Sequence, residues 1–247
     1  EGVQEVSNGS FSQEGVQLLS QPVNLVTDFN PNGGSTIIDA DTFETFGGTL
    51  EGIANKSSSF SLIEGRSYKL VIEGDTTSDG FTIGNYSYGN EYGTGFGTHY
   101  FVASGTQATR LWIRQQTSGV TNITNCSVRE VGQDWNLGTG WSIGEDKAVA
   151  TNVPNGQRLQ TSAIIPSVIG NTYKYSLNIS NISGAYTLYV YGVNVLVSVS
   201  TEGIVEGYVT ATSTNGAIYV SGATVGGLVS ADITNISVKE VGQNWTF

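Results

Sequence analysis

The chain carries no methionine, one cysteine, one histidine and four prolines, and charged side chains make up only 13% of its 247 residues. Each scarcity removes a class of protein. The single thiol, Cys126, excludes an internal disulfide and a cysteine-based zinc site. The single histidine, His99, cannot build a histidine-rich metal cluster and leaves little material for acid–base catalysis. Ten Lys and Arg against 21 Asp and Glu give a formal charge of −11, and the pI near 4.4 argues against a nucleic-acid backbone or an anionic membrane surface as partner. No apolar run approaches the ~18 residues of a membrane-spanning helix. The opening Glu1-Gly-Val-Gln-Glu5 has neither the basic nor the apolar part of a signal peptide. With no methionine even at position 1, the chain is expected to be a processed product or a segment of something longer.

Long amphipathic helices are also missing. No window sustains apolar residues at i, i+3, i+4 and i+7, whereas short alternating runs bounded by Gly, Asn, Asp and Ser recur throughout. With 33 glycines against four prolines, this pattern reads as an all-β protein with many tight turns.

What is present is a repeat. Ile123-Thr-Asn-Cys-Ser-Val-Arg-Glu-Val-Gly-Gln-Asp-Trp135 returns as Ile233-Thr-Asn-Ile-Ser-Val-Lys-Glu-Val-Gly-Gln-Asn-Trp245, differing only at Cys126/Ile236, Arg129/Lys239 and Asp134/Asn244. The offset of 110 residues is one small domain. Two tandem antiparallel β-sandwich (jelly-roll) domains follow, over 1–132 and 133–243, with 244–247 as the start of a possible third unit. The junction Val131-Gly-Gln-Asp134 is too short for a flexible tether.

A second correspondence sets Gly65-Arg-Ser-Tyr-Lys-Leu-Val-Ile72 against Gly170-Asn-Thr-Tyr-Lys-Tyr-Ser-Leu177. Tyr68, Leu70 and Ile72 fall on one strand face, as do Tyr173, Tyr175 and Leu177, with Lys69 and Lys174 opposite. A third sets Leu111-Trp-Ile-Arg114 against Ile218-Tyr-Val-Ser221. In the second unit, strands are expected near 147–151, 158–164, 172–179, 186–190, 193–200, 204–211, 217–220 and 233–241. That number of short strands suits two packed sheets with Greek-key or jelly-roll connections.

Several motifs together resemble the jelly-roll carbohydrate-binding modules: Asn8-Gly-Ser-Phe11, Gly140-Trp141 followed by Ile143-Gly144, the central Gly-x-Ser/Thr-Tyr-Lys strand, and the terminal Ile-Thr-Asn-x-Ser-Val-Lys/Arg-Glu-Val. Tandem units that end in Ser-Val-Lys-Glu-Val-Gly-Gln and reopen with Trp are similar to those of tail-fibre and other virion surface proteins of bacteriophages. The resemblance implies a non-catalytic structural or adhesive component at the virion surface or otherwise outside the cell. Its implied partners are glycans and other virion or filament subunits, in a homotrimer as such fibres commonly are, without nucleic acid or membrane insertion. The alternative is a pair of binding modules from a secreted polysaccharide-degrading enzyme or adhesin of bacteria. In the carbohydrate-binding family an Asp in the last strand helps hold a structural calcium. Thr124 and Thr234 stand at those positions here, and a hydroxyl replaces a carboxylate poorly toward a hard cation. No cofactor is therefore expected.

The Gly80–Phe101 stretch interleaves Phe81, Tyr86, Tyr88, Tyr92, Phe96, Tyr100 and Phe101 with glycines. Two readings are open: a loop exposing flat rings for sugar C–H groups, or aromatic hairpins packing within the sheet. The candidate carbohydrate-binding residues are Tyr86, Tyr88, Tyr92, His99 and Trp112. Trp112 qualifies because Leu111 and Ile113 must face the other way. Trp135 and Trp245 are expected to pack at unit boundaries, Trp141 in the core, and Cys126 as a buried apolar side chain.

Overall fold

Alternation of apolar and polar residues, the feature that dominates the sequence, becomes pleated sheet almost everywhere. The computed structural model describes residues 2–46, 51–85, 90–104, 110–196, 201–214, 216–222 and 228–242. Its contacts divide the chain into two units, Glu14–Val131 and Gly132–Phe247, the latter joined by Glu1–Gln13. The first 13 residues, assigned from sequence to the first unit, thus pack with the second.

In the first sandwich the strands are β1 (Glu14–Gln17), β2 (Phe29–Asn32), β3 (Ser35–Ile37), β4 (Thr42–Thr45), β5 (Glu51–Asn55), β6 (Ser67–Thr76), β7 (Phe81–Asn85), β8 (Asn90–Thr94), β9 (Gly97–Val102), β10 (Trp112–Gln115) and β11 (Gly119–Val131). One short helix, α1 (Leu25–Asp28), precedes β2 and is capped by Asn24, whose side chain accepts from the amides of Val26 and Thr27. The second contains β12 (Trp135–Leu137), β13 (Trp141–Gly144), β14 (Lys147–Pro154), β15 (Arg158–Thr161), β16 (Thr172–Ser183), β17 (Tyr186–Val190), β18 (Val193–Leu196), β19 (Gly203–Thr210), β20 (Ile218–Gly222) and β21 (Leu228–Val241). Among the described residues no helix is long and apolar enough to cross a membrane.

The sheets are duplicates. Order β2-β5-β10-β7-β8 in the first sandwich becomes β12-β15-β20-β17-β18 in the second, and β3-β4-β11-β6-β9 becomes β13-β14-β21-β16-β19. Adding ten to a strand number gives its counterpart. Every pairing within these sheets is antiparallel; β3–β4 and β7–β8, like β13–β14 and β17–β18, are hairpins within one sheet, and the other consecutive strands of each sandwich cross from one sheet to the other, as in a jelly roll. Two short strands, β12 and β13, open the second sandwich where no strand was expected. The expected strand 158–164 ends at Thr161.

The duplication extends to local chemistry. Tyr68, Leu70 and Ile72 are buried in the first core, and Tyr173, Tyr175 and Leu177 in the second. The Tyr68 hydroxyl accepts from the Ile63 amide at 2.8 Å and that of Tyr173 from the Val168 amide at 3.2 Å. Gly65 and Gly170 turn the chain at φ 82° and 90°, a left-handed conformation that favours glycine, and their amides donate to Ala103 and Ala211. The Gly-x-Ser/Thr-Tyr-Lys motif is therefore a turn followed by a core strand. Cys126 and Ile236 are both buried. Burial, with a smaller contribution from the Asp28 charge, pushes the Cys126 thiol up to about 12.

The N-terminal residues form an arm along β21. Gln4 bridges to Lys239, Gly2 donates to the Glu240 carbonyl at 2.7 Å, and Glu5 donates to the Val238 carbonyl at 2.9 Å. Val6 and Phe11 are 3% and 2% exposed. The Phe11 ring lies 5.1 Å from that of Trp135, whose Nε1 donates to the Asn8 carbonyl at 3.1 Å. Trp141 is buried and tilts against Tyr186, 6.1 Å between centroids. Trp245 and the possible third unit at 244–247 lie outside the described residues.

Candidate functional site

In each sandwich the sheet containing the penultimate strand turns one row of side chains away from the core. On β20, Ile218 and Val220 are buried, so Tyr219 faces out. On β17, Tyr186, Leu188 and Val190 are buried, so Thr187 and Tyr189 face out. Register then sets Asn136 beside Gln160, Gln160 beside Tyr219, Tyr219 beside Tyr189, and Tyr189 beside Asn194. A five-strand polar and aromatic ladder results. One row along, Arg158, Ser221 and Thr187 are neighbours.

The rings of Tyr189 and Tyr219 stack at 4.6 Å with 5° between planes. From the strand on the other side, the Arg158 guanidinium sits 4.2 Å from the Tyr219 centroid, a cation–π contact. Tyr219 is thus engaged on both sides. The stack offers phenol hydroxyls, ring edges and guanidinium N–H donors. Next to it opens a cleft of about 280 Å³ lined by Asn136, Leu137, Gly138, Gly156, Gln157, Arg158 and Gln160. Three amides and a guanidinium converge there on a space just below the ~300–1,000 Å³ of drug-sized pockets, a size for one small unit of a longer ligand. Gly138 is needed at its wall. A Cβ there would lie 2.8 Å from the Arg158 amide nitrogen.

The first sandwich builds the same face from different residues. Leu111 and Ile113 are fully buried, so Trp112 faces out at the position of Tyr219. Its row reads Asn30, Ala54, Trp112, Gly84 and Glu91, and the next reads Asn32, Gly52, Arg114, Thr82 and Thr94. Small residues, Ala54 and Gly84, stand beside the tryptophan on both neighbouring strands.

Trp112 therefore lies on an outward face, but the structure does not bring Tyr92 or His99 to it. Tyr92 requires correction as an exposed platform: it is 9% exposed, and its ring stacks on Phe101 at 4.2 Å and 11°. Its hydroxyl donates to the Ser104 carbonyl and accepts from the Ser104 amide. An irregularity in the β7–β8 ladder between Ile83 and Gly84 accompanies this inward placement. His99 is on β9, in the opposite sheet, half-buried, with Nε2 3.0 Å from the Gly95 carbonyl. It lies against Gly93, where a Cβ would be 2.3 Å from Nδ1. Tyr92 thus points inward in its sheet, and His99 belongs to the opposite sheet. Tyr86 and Tyr88 lie outside the described residues. Sequence reasoning missed Arg158, Tyr189, Gln160 and Asn136; the correspondence between Trp112 and Tyr219 was the available signal.

Three carboxylates elsewhere, Asp39, Glu14 and Asp232, hold structural contacts. Asp39 accepts from the amides of Asp41 and Thr42 in a turn, and hydrogen bonding, chiefly to Asp41, holds its pKa below the usual value. Glu14 pairs with Lys69 at 2.6 Å and Arg129 at 3.4 Å. Asp232 pairs with Lys147 and accepts from Asn181, each at 2.8 Å. Thr124 is exposed at an irregularity of β11, and Thr234 pairs with Asn178. Among the described residues no group of three or more His, Cys, Asp and Glu could hold a metal ion.

No protein-family model matches the chain, and no curated protein sequence does. Among solved structures the chain is similar to the N-terminal CBM22-1–CBM22-2 tandem domain of Paenibacillus barcinonensis Xyn10C, with 9% identity and a TM-score of 0.32 over 93% of this chain and 98% of that one. The jelly-roll assignment stands on the strand pairing itself.

Proposed function

We propose that this chain is a non-catalytic adhesive pair of β-sandwiches that binds glycans on the outer faces of its β2-β5-β10-β7-β8 and β12-β15-β20-β17-β18 sheets. The observation that carries this reading is the ladder Asn136–Gln160–Tyr219–Tyr189–Asn194 with Arg158 and the cleft beside it. Sugars display rings of hydroxyls that both donate and accept. Amides and phenols match that pattern, and the guanidinium adds donors for a ring oxygen or an acidic substituent. One such cleft gives weak affinity; two faces on one chain, multiplied by further subunits, give avidity. The setting we propose is the surface of a bacteriophage particle, with other virion subunits, arranged as a trimer, as the remaining partners. The terminal repeat's resemblance to tail-fibre units supports that setting.

A glycan array probed with the chain and with its Arg158→Ala and Tyr189→Ala variants tests the binding. The expected result is a defined set of glycans whose signal falls at least tenfold in both variants while their thermal melts stay within a few degrees of the parent. No bound glycan, or binding that ignores both substitutions, would remove the reading. Antibody to the chain should decorate intact virions in electron microscopy. Its recovery only from culture medium, alongside polysaccharide degradation, would remove the virion setting.

A further inference from the structure

The last strand of each sandwich is only half covered on one side. β14 pairs with β21 from Leu228 to Ile233, and β4 pairs with β11 from Gly119 to Asn122. Beyond those points the edge must find other partners, because unpaired main-chain groups in a sheet are costly. In the first sandwich β1 supplies them: Gln17 and Glu14 pair with Arg129 and Val131, the Leu18 amide donates to the Val128 carbonyl, and the Gln17 Oε1 accepts from the Val128 amide. The N-terminal arm does the same for the second. The Glu5 amide donates to the Val238 carbonyl, and the Gln4 Oε1 accepts from the Val238 amide at 3.0 Å. Val238 is the counterpart of Val128.

The sequences agree with the geometry. Glu1-Gly-Val-Gln4 and Glu14-Gly-Val-Gln17 are identical, and thirteen residues separate them while 110 separate the strands they cover. Val6 and Leu19, each two residues past the glutamine, are each 3% exposed. The edge therefore reads a Glu-Gly-Val-Gln segment rather than a particular chain connection. Past that segment the fit to the second sandwich tightens. The Ile236 amide donates to the Gly9 carbonyl at 2.9 Å, and a Cβ on Gly9 would lie 1.9 Å from the Ile236 oxygen. The arm continues through Ser12 and Gln13, both exposed, and more than 220 residues of sequence separate it from the strand it covers.

We propose that the Ile236–Glu240 edge is an exchange site that accepts the N-terminal arm of a second copy of this chain in the register described, linking copies. Every contact of the arm is remade unchanged when another copy supplies it, so intramolecular and intermolecular docking differ mainly in effective concentration and linker strain. The partner is thus chemically defined: a Gly-Val-Gln segment along the edge, then a glycine that clears the Ile236 carbonyl, then Phe11 against Trp135.

Two single variants of the full chain test this. Gln4→Cys and Lys239→Cys place thiols on cross-strand partners, within the reach of a disulfide, while the native thiol, Cys126, is buried. Mixed at rising concentration and oxidised, the two variants should give a disulfide-linked heterodimer at least tenfold over either variant's homodimer. Adding Gly9→Val to the Gln4→Cys chain should abolish it. Exchange between copies is overturned if the heterodimer never exceeds the homodimers while a chain carrying both cysteines closes on itself. The docking register itself is overturned if that double variant also fails to close. No glycan is present, so neither result bears on the proposed function.

Discussion

Replacing Phe11 by alanine should destabilise the second sandwich and leave the first almost untouched, although Phe11 precedes the first in sequence. The ring is 2% exposed and tilts 37° against Trp135 at 5.1 Å. Deleting a buried phenylalanine side chain costs about 3–5 kcal/mol, of which the aromatic pair contributes roughly 0.5–1.5. Alanine brings no relief of the φ of 61°, since it too carries a Cβ. The arm lies at the edge of its sandwich and its neighbours can relax, so the lower end, about 3 kcal/mol, applies. With a urea dependence of about 1.5 kcal/mol per M for a domain of this size, the midpoint should fall by about 2 M. Hydrogen exchange read separately on β11 and β21 during urea titration assigns the shift. A lowered midpoint for β11 with β21 unchanged would refute the placement of the arm, and a loss under about 1 kcal/mol would refute the packing.

Two further residues test the first core. Asn55 is fully buried; its Oδ1 accepts from the Leu111 amide and its Nδ2 donates to the Phe60 carbonyl at 2.8 Å. Asn55→Ala should therefore cost the first sandwich about 1–3 kcal/mol, because main-chain groups are left unpaired, as measured by its urea midpoint. Cys126 should resist a thiol reagent at about pH 8 until the first sandwich unfolds. Its folded pKa, about 12, lies above the ordinary 9.0, so the unfolded thiol loses its proton first. Its stabilising contribution is complete below pH 9 and disappears between about 9 and 12. Relative to Cys126→Ile, the residue of the other copy, the parent should lose stability between about pH 8 and about pH 10.5; equal losses would contradict the burial.

The sequence made the strand faces legible because period-two alternation needs no knowledge of partners: Tyr68, Leu70 and Ile72 read as one face and occupy the core. The repeat gave the number of sandwiches for the same reason. β12 and β13, three and four residues long, are too short for alternation to register. The arm was hidden because its pairing joins Gln4 to Lys239 across the whole chain, although the identical tetrapeptides at residues 1–4 and 14–17 were visible. For Tyr92 the sequence left open an exposed ring or one packed in the sheet, and the glycines around it let strands approach: a Cβ on Gly84 would lie 2.2 Å from the Asn90 carbonyl. Tyr189 and Tyr219 stood in expected strands, but only register shows that they stack. Trp112 came from alternation alone and lies on the outward face.

Backbone amide chemical-shift mapping of the chain titrated with the best glycan from the array tests the proposed site most directly. The expected footprint covers residues 136–138, 156–160, 187–189 and 219–221 in the second sandwich and centres on Trp112 in the first, with Arg158→Ala abolishing the second-sandwich part alone. A footprint on β16, β19 or the turns at the sandwich ends, or none at saturating glycan, would contradict recognition by the outer sheet faces.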